Sequence, residues 1–514
     1  MMKRIVRFLF FVFCVFTAKN PLHAQSIQTN GPLAGIRASA EAPVLVFEHA
    51  NLIDGISDAP QRDVTVVVAG GKISVVSATR ISPPANAKRF DLSGQWLLPG
   101  FIDAHIHPVS IGWAKSLLAN GMTTGRSMFT VRYVDVELRE RHRRGEFDIP
   151  DILAAGYPVV PNIGTFPIPY DMAAIFEDNP QLKDLRGDVN IGVAGAQRLV
   201  RANLDRHVDV IKVFATNRAG ILGFDPRGRA LSDEQLVAAV SEARNAGIPV
   251  AVHAYGDDGV VAAVRAGVRS IEHGVYLTDA TLELMKEKNV FFVPTISAFP
   301  LHGHAESNAS GADSLAARGQ DMAVSVRDAA RRAHKMGLRV IAGTDGASIG
   351  GEITELVGIG MTPMEAIQAA TSRCAEALGI SKRTGSIRPG LEADLIVLNG
   401  NPLEDINAVR NVALVVNDGR IVEKAWPEWV LNAVLILIAV AAVGALVCFI
   451  WVVIRLLRAR GIWWALVGFL FGPYAFIWGW LEARRRKHRR LMIVWTVCTT
   501  LFLGAVILLY VQYL

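Results

Sequence analysis

Two histidines interrupt an apolar run in "GFIDAHIHPV", residues 100–109. On a strand, side chains alternate faces, so His105 and His107 point the same way and Ile106 the other, which aims two imidazoles from one strand end. Four more polar residues stand in comparable places: Lys212 in "VIKVF", His253 in "VAVHAY", His273 in "SIEHG" and Asp345 in "AGTD". Imidazoles and a carboxylate with positions left open are what a catalytic zinc or similar divalent ion needs in order to bind and activate water. Lys212 is the exception, because an ammonium has no lone pair to give. Deprotonation would supply one, and conversion to a carbamate by CO2 would supply two oxygens able to bridge two ions. Singly, each residue has an ordinary structural role as a hydrogen-bonded histidine or a snorkelling lysine. It is the set of six that points to chemistry.

Positioning such a set requires strands that end together. Eight short apolar β-like runs can be counted, at 101–107, 123–128, 151–159, 210–216, 249–255, 270–274, 291–296 and 340–345. Helical patterns separate them, as in "SDEQLVAAVSEARNAG" at 232–247, where Ser232 can cap and Gln235 sits at the third helical position, and "DDGVVAAVRAG" at 257–267. The alternation predicts an α/β fold with a parallel sheet, and eight repeats predict a closed (β/α)8 TIM barrel over residues 100–379. Sites in such barrels lie at the C-terminal ends of the strands, so all six residues are expected at one mouth. His302 and His304 fall in a segment rich in Gly, Ser and Ala that reads as a loop, outside the ligand set.

The rest of the chain is a different material. Of its 514 residues 51% are hydrophobic and 19% charged, too apolar for one soluble domain, and the excess sits at the two ends. Lys3, Arg4 and Arg7 precede an apolar stretch from Phe8 to Ala18 and then the small Ala24, the layout of a signal peptide over 1–24. Residues 425–514 read as a membrane region, with uncharged spans at 433–454 and 491–514 long enough for the lipid bilayer. Between them, 462–481 carries four tryptophans and a Gly472–Pro473 break, and is expected as an interfacial or re-entrant hairpin. That arrangement keeps Arg455, Arg458 and Arg460 on the same side as the basic cluster 484–490, whereas three spans would separate them. The net charge of +6 is matched by the six Lys and Arg of that cluster, so no nucleic-acid partner is indicated. Only Cys374 remains for the part between the ends, which excludes a disulfide framework.

Taken in order, "LLPGFIDAHIHP", "VDVIKVFAT", "VAVHAYG", "SIEHG" and "AGTDG" resemble the amidohydrolase superfamily, in its prolidase-like and imidazolonepropionase-like branch, over roughly residues 43–424. The resemblance implies that His105 and His107 bind one metal, His253 and His273 a second, and that a carboxylated Lys212 bridges the two ions, with zinc the expected metal. It implies that Asp345 ligates the first ion and accepts the proton of the attacking water. Segments 25–99 and 380–424 then look like the small composite β-sandwich that the family builds from both chain ends; separate binding modules are the rival. Two departures bear on substrate identity: "GRSM" at 125–128 stands where a second-strand aspartate is often found, and "TNRAGILGF" after the lysine lacks the usual glycine pair.

By resemblance, the expected reaction is hydrolysis of a C–N bond in a small-molecule substrate such as a dipeptide or an N-acyl amino acid. Tyr255 would hydrogen-bond the oxyanion and Arg218 would hold a substrate carboxylate. The alternatives are an imidazolonepropionase-like cyclic amide hydrolase with a mononuclear site, or a silent, membrane-tethered binding protein on the same fold. The expected location is a membrane, the inner one if the source is a Gram-negative bacterium, with the catalytic domain on the periplasmic or extracellular side. A homo-oligomer is left open.

Overall fold

The computed structural model describes residues 44–79, 81–82, 84–163, 172–219, 225–299, 312–422, 428–483 and 489–513. The signal-peptide segment 1–24, His302, His304 and residues 484–488 of the basic cluster lie outside the described residues. Five strands come first: β1 (Leu45–Leu52), β2 (Gln61–Ala69), β3 (Lys72–Ser77), β4 (Lys88–Asp91) and β5 (Trp96–Pro99). Seven follow in the middle: β6 (Phe101–Ile106), β7 (Met122–Ser127), β8 (Asp151–Leu153), β9 (Ile211–Phe214), β10 (Val250–Gly256), β11 (Ser270–Tyr276) and β12 (Phe291–Val293). Three close the series: β13 (Leu395–Leu398), β14 (Val412–Asn417) and β15 (Arg420–Ile421).

The outer strands form one eight-stranded sheet in the order β15-β14-β13-β5-β1-β2-β3, with β4 beside β1. Antiparallel pairing of β13 with β5, Ile396 opposite Leu98, joins the two flanks of the middle segment. Alternating apolar residues such as Phe47, Val64, Val66, Leu97 and Val416 fill the core of this sheet.

The middle strands are parallel, as β6-β7-β8 and β9-β10-β11-β12, and almost wholly buried. Isolated parallel bridges extend the series, Val159 to Val213 and Phe292 to Val340. The 340–345 segment then returns to β6, where Ala104 N–H donates to Ala342 O at 3.0 Å and Asp345 N–H to His105 O at 2.8 Å. Two runs are more irregular than their sequence suggests. The strand beginning at Asp151 stops at Leu153, because Gly156 turns with φ +66 and Pro158 has no N–H to donate. The last run passes β6 at a glycine: a Cβ on Gly343 would lie 2.9 Å from the Cβ of His105 and closer still to Val293, so only hydrogen fits. Buried Asp103 ties this crossing together, its Oδ1 accepting the N–H groups of His105 (2.9 Å) and Thr344 (3.0 Å). Burial pushes its carboxyl up to about 7.

Ser232 does cap the helix Asp233–Asn245, with Gln235 closing the capping box. The last four helices are Glu428–Arg460, Ile462–Leu470, Gly472–Glu482 and Arg489–Tyr513. Two are long and apolar enough to cross a membrane, at Ala433–Arg460 and Arg489–Val506. They run antiparallel, Gly444 facing Cys498 while Val452 and Met492 both meet Gly479. The two short helices fold back along them, the Phe469 ring 6.1 Å from Phe449 and the Phe476 ring 5.0 Å from Trp495. Ile436, Val440, Val443 and Ile450 remain exposed on the first long helix.

Candidate metal centre

His105 near the end of β6, His107 just beyond it, His253 midway along β10 and His273 midway along β11 form one cluster of four imidazoles. Ring centroids are 5.4 Å apart for His105 and His107, 4.9 Å for His105 and His273, and 4.6 Å for His253 and His273. Asp345 Oδ1 lies 2.9 Å from His107 Nε2 and 3.5 Å from His105 Nε2. Donor atoms of His105, His107 and Asp345 all fall within 4.8 Å of one another. His107 and Asp345 keep some exposure, whereas His105, Lys212, His253 and His273 are buried.

Strand alternation alone would not build this cluster. On β11 it sends Glu272 and His273 to opposite faces, yet both reach His105. The backbone of His273 resolves the conflict, turning into the left-handed region at φ +76, with Gly274 following at +53. Asp345 at φ +48 is turned in the same way, as is Thr295 at +50, whose hydroxyl lies 2.8 Å from His273 Nδ1. Such backbone costs of order 1–3 kcal/mol per residue and persists where surrounding contacts hold it.

Burial sets the charge state. It pushes His105 down to about 4, helped by Lys212 and opposed by Asp345 and Glu272. Burial and the neighbouring imidazoles hold His253 and His273 well below the ordinary histidine range. These three rings are therefore neutral at pH 7 and keep a lone pair each. Lys212 is brought down to about 8 by burial, with Glu272 and Asp345 pulling the other way. Neutral imidazoles beside a carboxylate are a fitting donor set for a divalent ion such as zinc.

Residues 96–422 match the amidohydrolase family. The chain belongs to that family. It is similar to the ochratoxinase of Aspergillus niger, 38% identical over 223 residues, 42% of this chain and 46% of that one, so it spans about half the length of this curated relative. Among solved structures, a Xaa-Pro dipeptidase with bound methionine in the active site matches with a TM-score of 0.66 at 28% identity, over 74% of this chain and 100% of the other. A putative prolidase from Bifidobacterium longum matches with 0.64 at 30% identity, over 74% and 95%. Family and relatives together support an amidohydrolase fold of α/β class.

In this amidohydrolase Tyr255 packs into the cluster, its ring 4.4 Å from His253 and 5.2 Å from His273. Burial raises its phenol, which stays a donor. Arg218, partly exposed, acts electrostatically on Lys212, His253 and Tyr255. An aromatic collar that sequence reasoning missed surrounds the histidines: Phe129 lies 4.7 Å from His107, Phe214 4.4 Å from His253 and Phe299 6.2 Å from His273.

Also missed were two buried acids behind the ligands. Glu272, next to His273 in "SIEHG", stands 2.8 Å from His105 Nδ1 and accepts from Arg126, the arginine of "GRSM". Burial alone would raise the Glu272 carboxyl, but Arg126 and His105 hold it well below the usual range. Glu352 accepts Ile296 N–H, Ser297 N–H and the Ser297 hydroxyl, pinning the turn that carries Thr295.

Burial pushes the Glu352 carboxyl up to about 7, against these hydrogen bonds. A carboxyl raised in the folded state favours the protonated form, so its contribution is fully present below about 4.5 and is lost as pH rises through about 7. Glu352→Gln, which keeps an acceptor oxygen without the charge, should gain stability relative to the native chain as pH rises from 5 to 7, by about 1.4 kcal/mol per pH unit. Denaturant unfolding across that range checks this; a constant difference between the two proteins contradicts it.

Proposed function

We propose that the chain hydrolyses amide bonds of small substrates such as dipeptides or N-acyl amino acids, using two divalent ions, zinc by preference, at the mouth of a closed (β/α)8 barrel. The observation that carries this reading is the cluster of four imidazoles and one carboxylate, with buried Lys212 acting electrostatically on His105, His253 and His273. The hydrogen-bonded succession of eight parallel runs, from β6 round to the 340–345 segment and back, supports the closed barrel. The names of the prolidase-like and ochratoxinase relatives support amide-type substrates.

His105, His107 and Asp345 would hold one ion, His253 and His273 the other. Lys212, as a carbamate, would be the residue shared between them. With the ammonium brought down to about 8, about a tenth of it is free amine at pH 7. That neutral nitrogen forms a C–N bond to the carbon of CO2 and releases one proton to solvent, leaving a carbamate with one negative charge and two oxygens; counted from the ammonium, two protons leave. When bound, the ions supply Lewis acidity toward the carbonyl and toward water. Asp345, partly open to the mouth, accepts the proton of the attacking water and passes it to the leaving nitrogen. Tyr255 donates to the oxyanion and Arg218 pairs with a substrate carboxylate.

The membrane region anchors the enzyme. With antiparallel long helices, Arg455, Arg458 and Arg460 fall at the same end as Arg489 and Arg490, which the positive-inside bias places in the cytoplasm. The short helix pair between them is then a re-entrant hairpin, and the catalytic domain faces the outside. A reporter fused after Leu514 should read external; a cytoplasmic reading contradicts this arrangement.

The reaction is tested by screening dipeptides and N-acyl amino acids against the full chain in detergent. Chelator-sensitive cleavage is expected, and a chain without divalent ions or turnover would leave the silent binding protein. Asp345→Asn should keep the fold and most of the metal, since an amide oxygen still ligates, and lose about 10²–10⁴-fold in kcat for want of a proton acceptor. Near-normal turnover there means another group moves the proton.

Lys212→Ala should lose at least one ion and most activity. Acetate should restore part of it by filling the emptied space, and chloride at equal ionic strength should not. Full metal content and rate in this variant would make the lysine structural rather than a bridge between ions.

A further inference from the structure

Metal-bound histidines work through the nitrogen left free by their other hydrogen bond, so the partner behind each ring sets how well it ligates. Here those partners differ in charge. His105 Nδ1 is 2.8 Å from Oε2 of Glu272, a carboxylate that can only accept, so Nδ1 carries the proton and Nε2 is the free nitrogen, aimed at Asp345. Glu272 is itself fixed: its Oε1 accepts from Arg126 Nη2 at 2.8 Å and from the Ser270 hydroxyl at 2.6 Å. Arg126 is held in turn, donating through Nε to Ala104 O at 2.7 Å and through Nη1 to Ser270 Oγ at 3.0 Å. Every member of this chain is buried.

The other pair has no such anion. His273 Nδ1 meets the neutral hydroxyl of Thr295 at 2.8 Å. His253 turns Nε2 toward the carbonyl of Asn217 at 3.4 Å, a contact that occupies a ring nitrogen. Nothing negative is hydrogen-bonded behind either ring among the described residues.

We propose that Arg126 and Glu272 are positioning residues that make the His105–His107–Asp345 side the tighter of two metal positions, so that the enzyme loads its ions in two unequal steps. The proposal rests on the two-ion reading above. An anion behind His105 raises the basicity of Nε2 and locks the ring orientation, and such outer partners change metal affinity by about 10–100-fold. Stability does not explain the pair, because a buried ion pair gains little over apolar residues of the same volume. Its place directly behind one ligand does.

The test is zinc titration of the chelator-stripped full chain in detergent against a competing chromophoric chelator. The native protein should bind in two steps, the first at least about tenfold tighter. Glu272→Gln should weaken the first step by about 10–100-fold and leave the second within about threefold. His107→Ala should remove the tight step and His253→Ala the weak one, which assigns the sides. Where Glu272→Gln does not fold, Arg126→Lys replaces it: the first step should weaken with the second unchanged. Two equal steps in the native chain, or equal weakening of both in Glu272→Gln or in Arg126→Lys, overturn the proposal while leaving the two-ion reading intact. Binding of one ion or none overturns that reading instead.

Discussion

Burial of several imidazoles within ring-to-ring contact is the constraint on which the rest of the site depends. The His273 ring lies 4.9 Å from His105 and 4.6 Å from His253, and these three rings, out of water, cannot all carry charge, so they stay neutral and each keeps a lone pair. A neutral cluster of this kind would collapse onto itself without something to hold each ring at its angle. Glu272 behind His105, Thr295 behind His273 and the Phe129 carbonyl behind His107 supply that. The left-handed backbones at His273, Thr295 and Asp345 follow from the same demand, since regular strands would aim these side chains elsewhere.

Much of this is legible in the sequence, for a simple reason. Strand-end histidines interrupt apolar runs, so His105, His107, His253 and His273 stand out against their neighbours, and the eight runs that carry them recur at readable spacing. What escapes is set by tertiary geometry. Glu272 is invisible because strand alternation, once His273 faces inward, assigns Glu272 to the outside; only the φ of +76 at His273 lets both face the site. Arg126 reads in the sequence as the absence of an aspartate, whereas its guanidinium spans from Ala104 O to Glu272. Glu352 lies 55 and 56 residues from the groups it holds, a pairing no local pattern announces.

The flanking strands and the apolar helices illustrate the two extremes of that legibility. The run from Ala433 to Ile454, without a charge over the length of a bilayer, declares itself by composition, and the structure makes it part of a helix that shows apolar side chains outward. The joining of β5 to β13 depends instead on strands from opposite sides of the middle segment, Leu98 meeting Ile396. Gly343 belongs with these long-range features: its lack of a side chain matters only because the last run crosses β6 beside His105.

If two ions share this donor set through Lys212, anomalous diffraction at the zinc edge from crystals of the zinc-loaded full chain should show two peaks, one among His105, His107 and Asp345 and one beside His253 and His273, with density continuing past Lys212 Nζ between them. A single peak, or two peaks with a bare lysine, would contradict that sharing.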